Sequence, residues 1–78
     1  MSHTPHELAD EFPEKLEQIH LLKISDPRFA NLASDYHVVN REIHRIETDV
    51  TPTSDAYLED LKKRRLGLLD TISPYLVN

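Results

Sequence analysis

The sequence predicts an all-α fold: an antiparallel, coiled-coil-like hairpin of two long helices, preceded by a shorter, proline-kinked N-terminal helix. Three observations lead there. The 78 residues include a single glycine, no run alternates apolar and polar residues with strand chemistry, and apolar residues recur at steps of three and four over most of the chain. A chain of this length makes one domain, residues 1–78, and buries only about 60% of its unfolded surface. Its core must be thin. A lone hairpin would leave an apolar face bare, so a third helix, a second copy or a partner is expected to cover it.

The first helix is expected over residues 5–24. Thr4 supplies a hydroxyl cap, Pro5 suits the first helical position, and Glu7 is placed to complete a capping box. Pro13 interrupts the segment, because it lacks an amide hydrogen and its ring collides with the preceding turn, so the helix must kink or restart there. Leu8, Phe12, Leu16, Ile19 and Leu22 form a rough apolar stripe across the interruption.

The clearest boundary is Ser25-Asp26-Pro27, with Asp26 as cap and Pro27 as first residue of a second helix over residues 27–49. Phe29, Leu32, Tyr36, Val39, Ile43, Ile46 and Val50 then recur at steps of three and four without a miss. The stretch from Val50 to Ser54 breaks that seam. Thr53 or Ser54 can cap a third helix over residues 54–76, with Asp55 favourable to the dipole in its first turn. Leu58, Leu61, Leu68, Ile72 and Tyr75 carry the third helix's stripe, and Arg65 falls where an apolar residue is due.

Folding the hairpin about residue 52 sets Ile46 against Leu58, Ile43 against Leu61, Tyr36 against Leu68 and Leu32 against Ile72. Phe29 and Tyr75 should meet at the open end. Two stripes read independently thus support one pairing, which is the strongest argument for this fold.

Composition narrows the function classes. With no cysteine there is no disulfide framework and no thiolate metal site, and the cytoplasm is the expected compartment. The polar, acidic N-terminus lacks the basic start and apolar run of a signal peptide, and no apolar stretch approaches membrane-spanning length. The net charge of -5 opposes a primary role in holding nucleic acid. Its distribution is uneven: Lys and Arg against Asp and Glu number 2 and 5 in residues 1–25, 3 and 5 in residues 26–50, and 4 and 4 in residues 51–78.

Three segments then resemble a known family: Asp26-Pro27-Arg28-Phe29, Glu42-Ile43-His44-Arg45-Ile46-Glu47 and Leu61-Lys62-Lys63-Arg64-Arg65-Leu66. Together they are similar to the YdcH-like family of short bacterial proteins of unknown function, over roughly Leu16 to Leu76. The resemblance implies a bacterial, cytosolic helical hairpin and brings no established activity. One departure follows the basic block, where the family usually continues with a lysine and an acidic pair. Here Gly67-Leu68-Leu69-Asp70-Thr71 is more apolar and carries a helix-weakening glycine.

The basic block Lys62 to Arg65 spreads round all sides of a helix, so it cannot form one flat face. Glu59 precedes Lys63 by four and Asp60 precedes Arg64 by four, the favourable order for intrahelical pairs. Lys63, Arg64 and Arg65 are still the candidate contacts if nucleic acid is bound. Lys62 is expected opposite Glu42, and Arg65 near Val39 with Asp35 and Glu42 in reach, where it would fix register. Tyr57 and Phe12 are further interaction candidates, off the main seam.

The five histidines, His3, His6, His20, His37 and His44, include no helical i, i+4 pair and no completed carboxylate set. No metal, cofactor or small-molecule substrate is expected. Ser25 and Ser54 read as caps rather than nucleophiles, and the chain is expected not to be an enzyme. The leading reading is a helical interaction module that associates with itself or with another helical protein. The competing one is a nucleic-acid-associated regulator using the basic block.

Overall fold

A computed structural model describes residues 5–48 and 54–76. Its elements are α1 (Leu8–Glu11), a 3-10 turn (Pro13–Lys15), α2 (Leu16–Ser25), α3 (Pro27–Thr48), α4 (Asp55–Ile72) and a closing 3-10 turn (Ser73–Leu76). No strand occurs among the described residues. The fold is the expected one, an antiparallel helical hairpin behind a proline-interrupted N-terminal segment. The expected caps at Thr4 and Thr53 and the seam residue Val50 lie outside the described residues, as does His3.

The boundaries of α3 and α4 follow from their caps. Asp26 Oδ1 accepts from the backbone N–H of Arg28 at 3.0 Å and of Phe29 at 3.2 Å, so two amides that the first turn leaves without helical partners are satisfied. Ser54 Oγ accepts from Tyr57 N–H at 3.1 Å and satisfies one such amide of α4. Ser25 is not a cap of this kind. It closes α2, and its hydroxyl donates back to the Leu21 carbonyl at 2.8 Å. At the far end α4 tightens at Ser73 instead of running on to residue 76, because Pro74 cannot donate the next α-helical hydrogen bond.

The N-terminal segment departs further from expectation. Helix does not begin at Pro5: His6 stands in the left-handed region at φ 63°, which no right-handed helix passes through. Glu7, extended at φ -65° and ψ 161°, becomes the cap of α1, and its N–H donates to Asp10 Oδ2 at 3.3 Å. After one turn Phe12 terminates α1, and Pro13 opens a 3-10 turn from which α2 restarts. The restart changes the phase of the apolar stripe. Leu8 and Ile19 stay buried, Phe12 and Leu22 are half-buried, and Leu16 is turned out to 52% exposure.

The core forms two joined clusters along the hairpin. Near the connection, Val39, Ile43, Ile46 and Leu61 are buried, with Leu58 and Leu68 against them. Toward the open end, Phe29, Ala33, Tyr36, Ile72 and Leu76 are buried with Leu8 and Ile19, and Leu32, Leu68 and Tyr75 pack alongside. Each expected partner pair falls within one cluster. Phe29 and Tyr75 meet edge to face, with centroids 5.4 Å apart and planes at 63°. Ala33, Asn40 and Leu76 are buried positions that the stripes did not include.

Candidate functional site

Two surfaces compete for a role, the basic block on α4 and the side of the molecule where α1 and α2 lie on α3. At the block, the side chains disperse as the helix geometry requires. Lys62 Nζ reaches Glu47 Oε2 at 3.3 Å across the hairpin, not the expected Glu42, and Arg64 Nη2 lies 3.6 Å from Asp60 Oδ2 on its own helix. Glu42 is taken instead by Arg45, which makes two hydrogen bonds to it at 3.0 and 2.8 Å. Those bonds hold the Glu42 carboxyl below the usual carboxylate range, and the Tyr57 hydroxyl adds a longer contact at 3.5 Å. Lys63 is exposed and has no ion-pair partner among the described residues.

Arg65 turns inward, as its seam position requires, but its partner is neither Asp35 nor Glu42. Nη1 donates to Asn40 Oδ1 at 2.8 Å, and Asn40 Nδ2 donates to the Pro5 carbonyl at 2.8 Å. A guanidinium only donates and a carbonyl only accepts, so one orientation of the Asn40 amide satisfies both neighbours. Asn40 is 1% exposed and is the buried polar residue of the core, and no buried side-chain nitrogen or oxygen lacks a partner among the described residues. One turn earlier the Tyr36 hydroxyl donates to the His6 carbonyl. Burial pushes the Tyr36 phenol up to about 12, with the Glu11 carboxylate adding to the effect. Asn40, itself held by Arg65, and Tyr36 thus grip two successive carbonyls, those of Pro5 and of His6, the latter in the left-handed region.

The same turn borders an open groove of about 660 Å3 between α1–α2 and α3. Leu8, Leu16 and Ile19 form one apolar wall, while Ala30, Ala33 and Ser34 on α3 keep the other low. Its polar lining is mixed: His20 and Lys23 come from α2 and His37 from α3, with Glu7 lying 2.9 Å from His37 Nδ1. Of the interaction candidates, Phe12 is half-buried against the core and Tyr57 is 45% exposed on α4, away from this groove. Leu21 at 55% and Ile24 at 72% are exposed on α2, and both lie off the stripe of Leu16, Ile19 and Leu22 that the sequence shows. Val38 and Leu66 are exposed on α3 and α4.

No cluster of His, Cys, Asp or Glu able to hold a metal ion occurs among the described residues. Among them also, no helix is long and apolar enough to cross a membrane. No curated protein and no solved structure matches the chain. One family pattern does match, over residues 29–76, which runs from the first buried residue of α3 to the closing turn and covers more than half of the chain. The N-terminal segment that walls the groove lies before that match, and the chain belongs to the family described as "Protein of unknown function (DUF465)".

Proposed function

We propose that this chain is a non-enzymatic helical interaction module, and that it associates with a second copy of itself through the groove between α2 and α3. The observation that carries the reading is the exposed apolar pair on α2: Leu16 stands half in solvent in a groove whose α3 side is lined by alanine and serine, and Ile24 is exposed eight residues further along the same helix. Small residues on α3 let another helix approach closely, and an amphipathic helix needs only a complementary stripe to settle there. The basic block supports the competing nucleic-acid reading less well, since three of its four cations are engaged within the fold and the chain as a whole is acidic. Together with the YdcH-like resemblance, this is the reading of a bacterial, cytoplasmic protein-binding module.

Light scattering across a concentration series of the purified chain tests it. A mass that rises toward two chains, and that falls back when Leu16→Glu is introduced without loss of helicity, is the expected result. A native chain of one-chain mass at every concentration removes self-association.

A further inference from the structure

Building on that reading, we infer that the interface between copies is a two-fold pairing of α2 with α2, antiparallel and centred on His20. The argument begins with spacing. Leu16, His20 and Ile24 follow one another at intervals of four, so they form a single ridge on α2. All three are exposed, Leu16 at 52% and Ile24 at 72%. Glu17 and Lys23 flank the ridge on opposite sides, both exposed. Six residues apart on one helix, they cannot reach each other, and neither has an ion-pair partner among the described residues.

In an antiparallel pair whose axis passes at residue 20, each position k faces position 40 - k of the other copy. Leu16 then meets Ile24, Glu17 meets Lys23, and each of these contacts occurs twice. The charges on α2 are therefore self-complementary in this register: the Glu17 carboxylate of each copy finds the ammonium that its own helix cannot offer. A parallel pairing would set Glu17 on Glu17 and Lys23 on Lys23. Room for the second helix exists beside the ridge, where Ala30 and Ser34 line the α3 side of the groove. A closed isologous dimer of this kind uses one patch on both subunits and stops at two chains. Being a contact of a few helical turns, it belongs with the small, transient interfaces.

The test uses opposite charge reversals in the full chain. Glu17→Lys alone places lysine against lysine twice, and Lys23→Glu alone places glutamate against glutamate twice. Each variant should self-associate at least tenfold more weakly than the native chain, while an equal mixture of the two should recover native association, because both cross-pairs become lysine with glutamate. Both positions are exposed, and matching helical circular dichroism confirms that folding is retained. A second readout exploits the absence of cysteine: His20→Cys should form an intermolecular disulfide on mild oxidation at a concentration where Glu59→Cys on α4 does not. If the native chain dimerises but the mixture associates no better than either variant, the α2 register is overturned and self-association stands through another face. If native chain and mixture both keep the mass of one chain, the register and the proposed function fall together.

Discussion

Between Pro27 and Leu76 the helices are held chiefly by apolar side chains meeting across the hairpin, whereas the segment from Pro5 to Ser25 is also tied to the hairpin by side chains that donate to backbone carbonyls. In the hairpin, Ile43, Ile46, Leu61 and Ile72 are buried, each on the stripe of its own helix. The N-terminal segment contributes Leu8 and Ile19 to that core, but its course is set by Tyr36 on the His6 carbonyl, Asn40 on the Pro5 carbonyl and Gln18 Nε2 on the Tyr75 carbonyl at 3.1 Å. The difference is one of encoding. A seam selects residue types at both of its faces, while a carbonyl acceptor belongs to every residue and selects only the donor.

The sharpest way to break this comparison is to charge the seam. Ile43 is 1% exposed, so Ile43→Asp must bury an unpaired carboxylate or open the hairpin. A cost of about 4 kcal/mol or more, typical of the severe substitutions, rivals the whole stability of a domain this small. Loss of the helical circular dichroism signal at 25 °C is the expected outcome. A variant that keeps its helicity and melting temperature would show that the hairpin does not depend on this seam.

The polar clasp should yield less. Asn40→Leu leaves the Arg65 guanidinium and the Pro5 carbonyl without their shared partner, at a cost of about 1–3 kcal/mol read from denaturant melts. Adding Arg65→Met removes the stranded charge, so the double variant should be more stable than Asn40→Leu alone. Such coupling is what a double-mutant cycle measures. Independent, additive losses would mean that Arg65 and Asn40 do not act as one unit.

These two residues also mark where the sequence was readable and where it was not. The α3 stripe, the Asp26 and Ser54 caps and the Phe29–Tyr75 contact follow from periodicity and capping chemistry, which are local. Arg65 at an apolar position implies a polar partner, and spacing alone favours the carboxylates of Asp35 and Glu42 over the neutral amide of Asn40 that the fold uses. Asn40 lies four residues after Tyr36 and three before Ile43, inside the buried arc, and that spacing was the available signal for it. The groove was hidden for a different reason. Following the stripe through Pro13 kept Leu16 in phase with the core, but the 3-10 turn rotates α2 so that Leu16 and His20 face the opening.

Tyr36→Phe separates the clasp from the core, since the ring stays in place and only the bond to the His6 carbonyl goes. About 1 kcal/mol should be lost, a fall in Tm of roughly 4–8 °C for a domain of this size. Amide exchange should quicken at Leu8 to Phe12 more than at Val39 to Ile46. The same phenol gives the native chain an alkaline limit. Its folded pKa, about 12, lies above the ordinary value of 10.0, so the neutral form is favoured by folding. Its contribution is complete below pH 10 and is lost as pH rises toward 12. Tyr36→Phe should flatten that part of the stability profile, and an unchanged profile would remove Tyr36 as its source.

The smallest effect expected runs in the opposite direction. Gly67 stands on the exposed side of α4, and a Cβ built there meets nothing within 4 Å. Its backbone is ordinary helix, so nothing in the fold makes use of the missing side chain. Gly67→Ala should therefore stabilise the hairpin by up to about 1 kcal/mol, through lower backbone entropy in the unfolded chain and better helix propensity. Because Thr71 Oγ1 donates to the Gly67 carbonyl at 2.9 Å, a backbone acceptor that alanine retains, this contact survives the substitution. The gain should appear as a higher denaturation midpoint with an unchanged m-value. A loss of stability or of self-association instead would mean that another chain approaches α4 at Gly67, which would move the interface from α2 to the far helix of the hairpin.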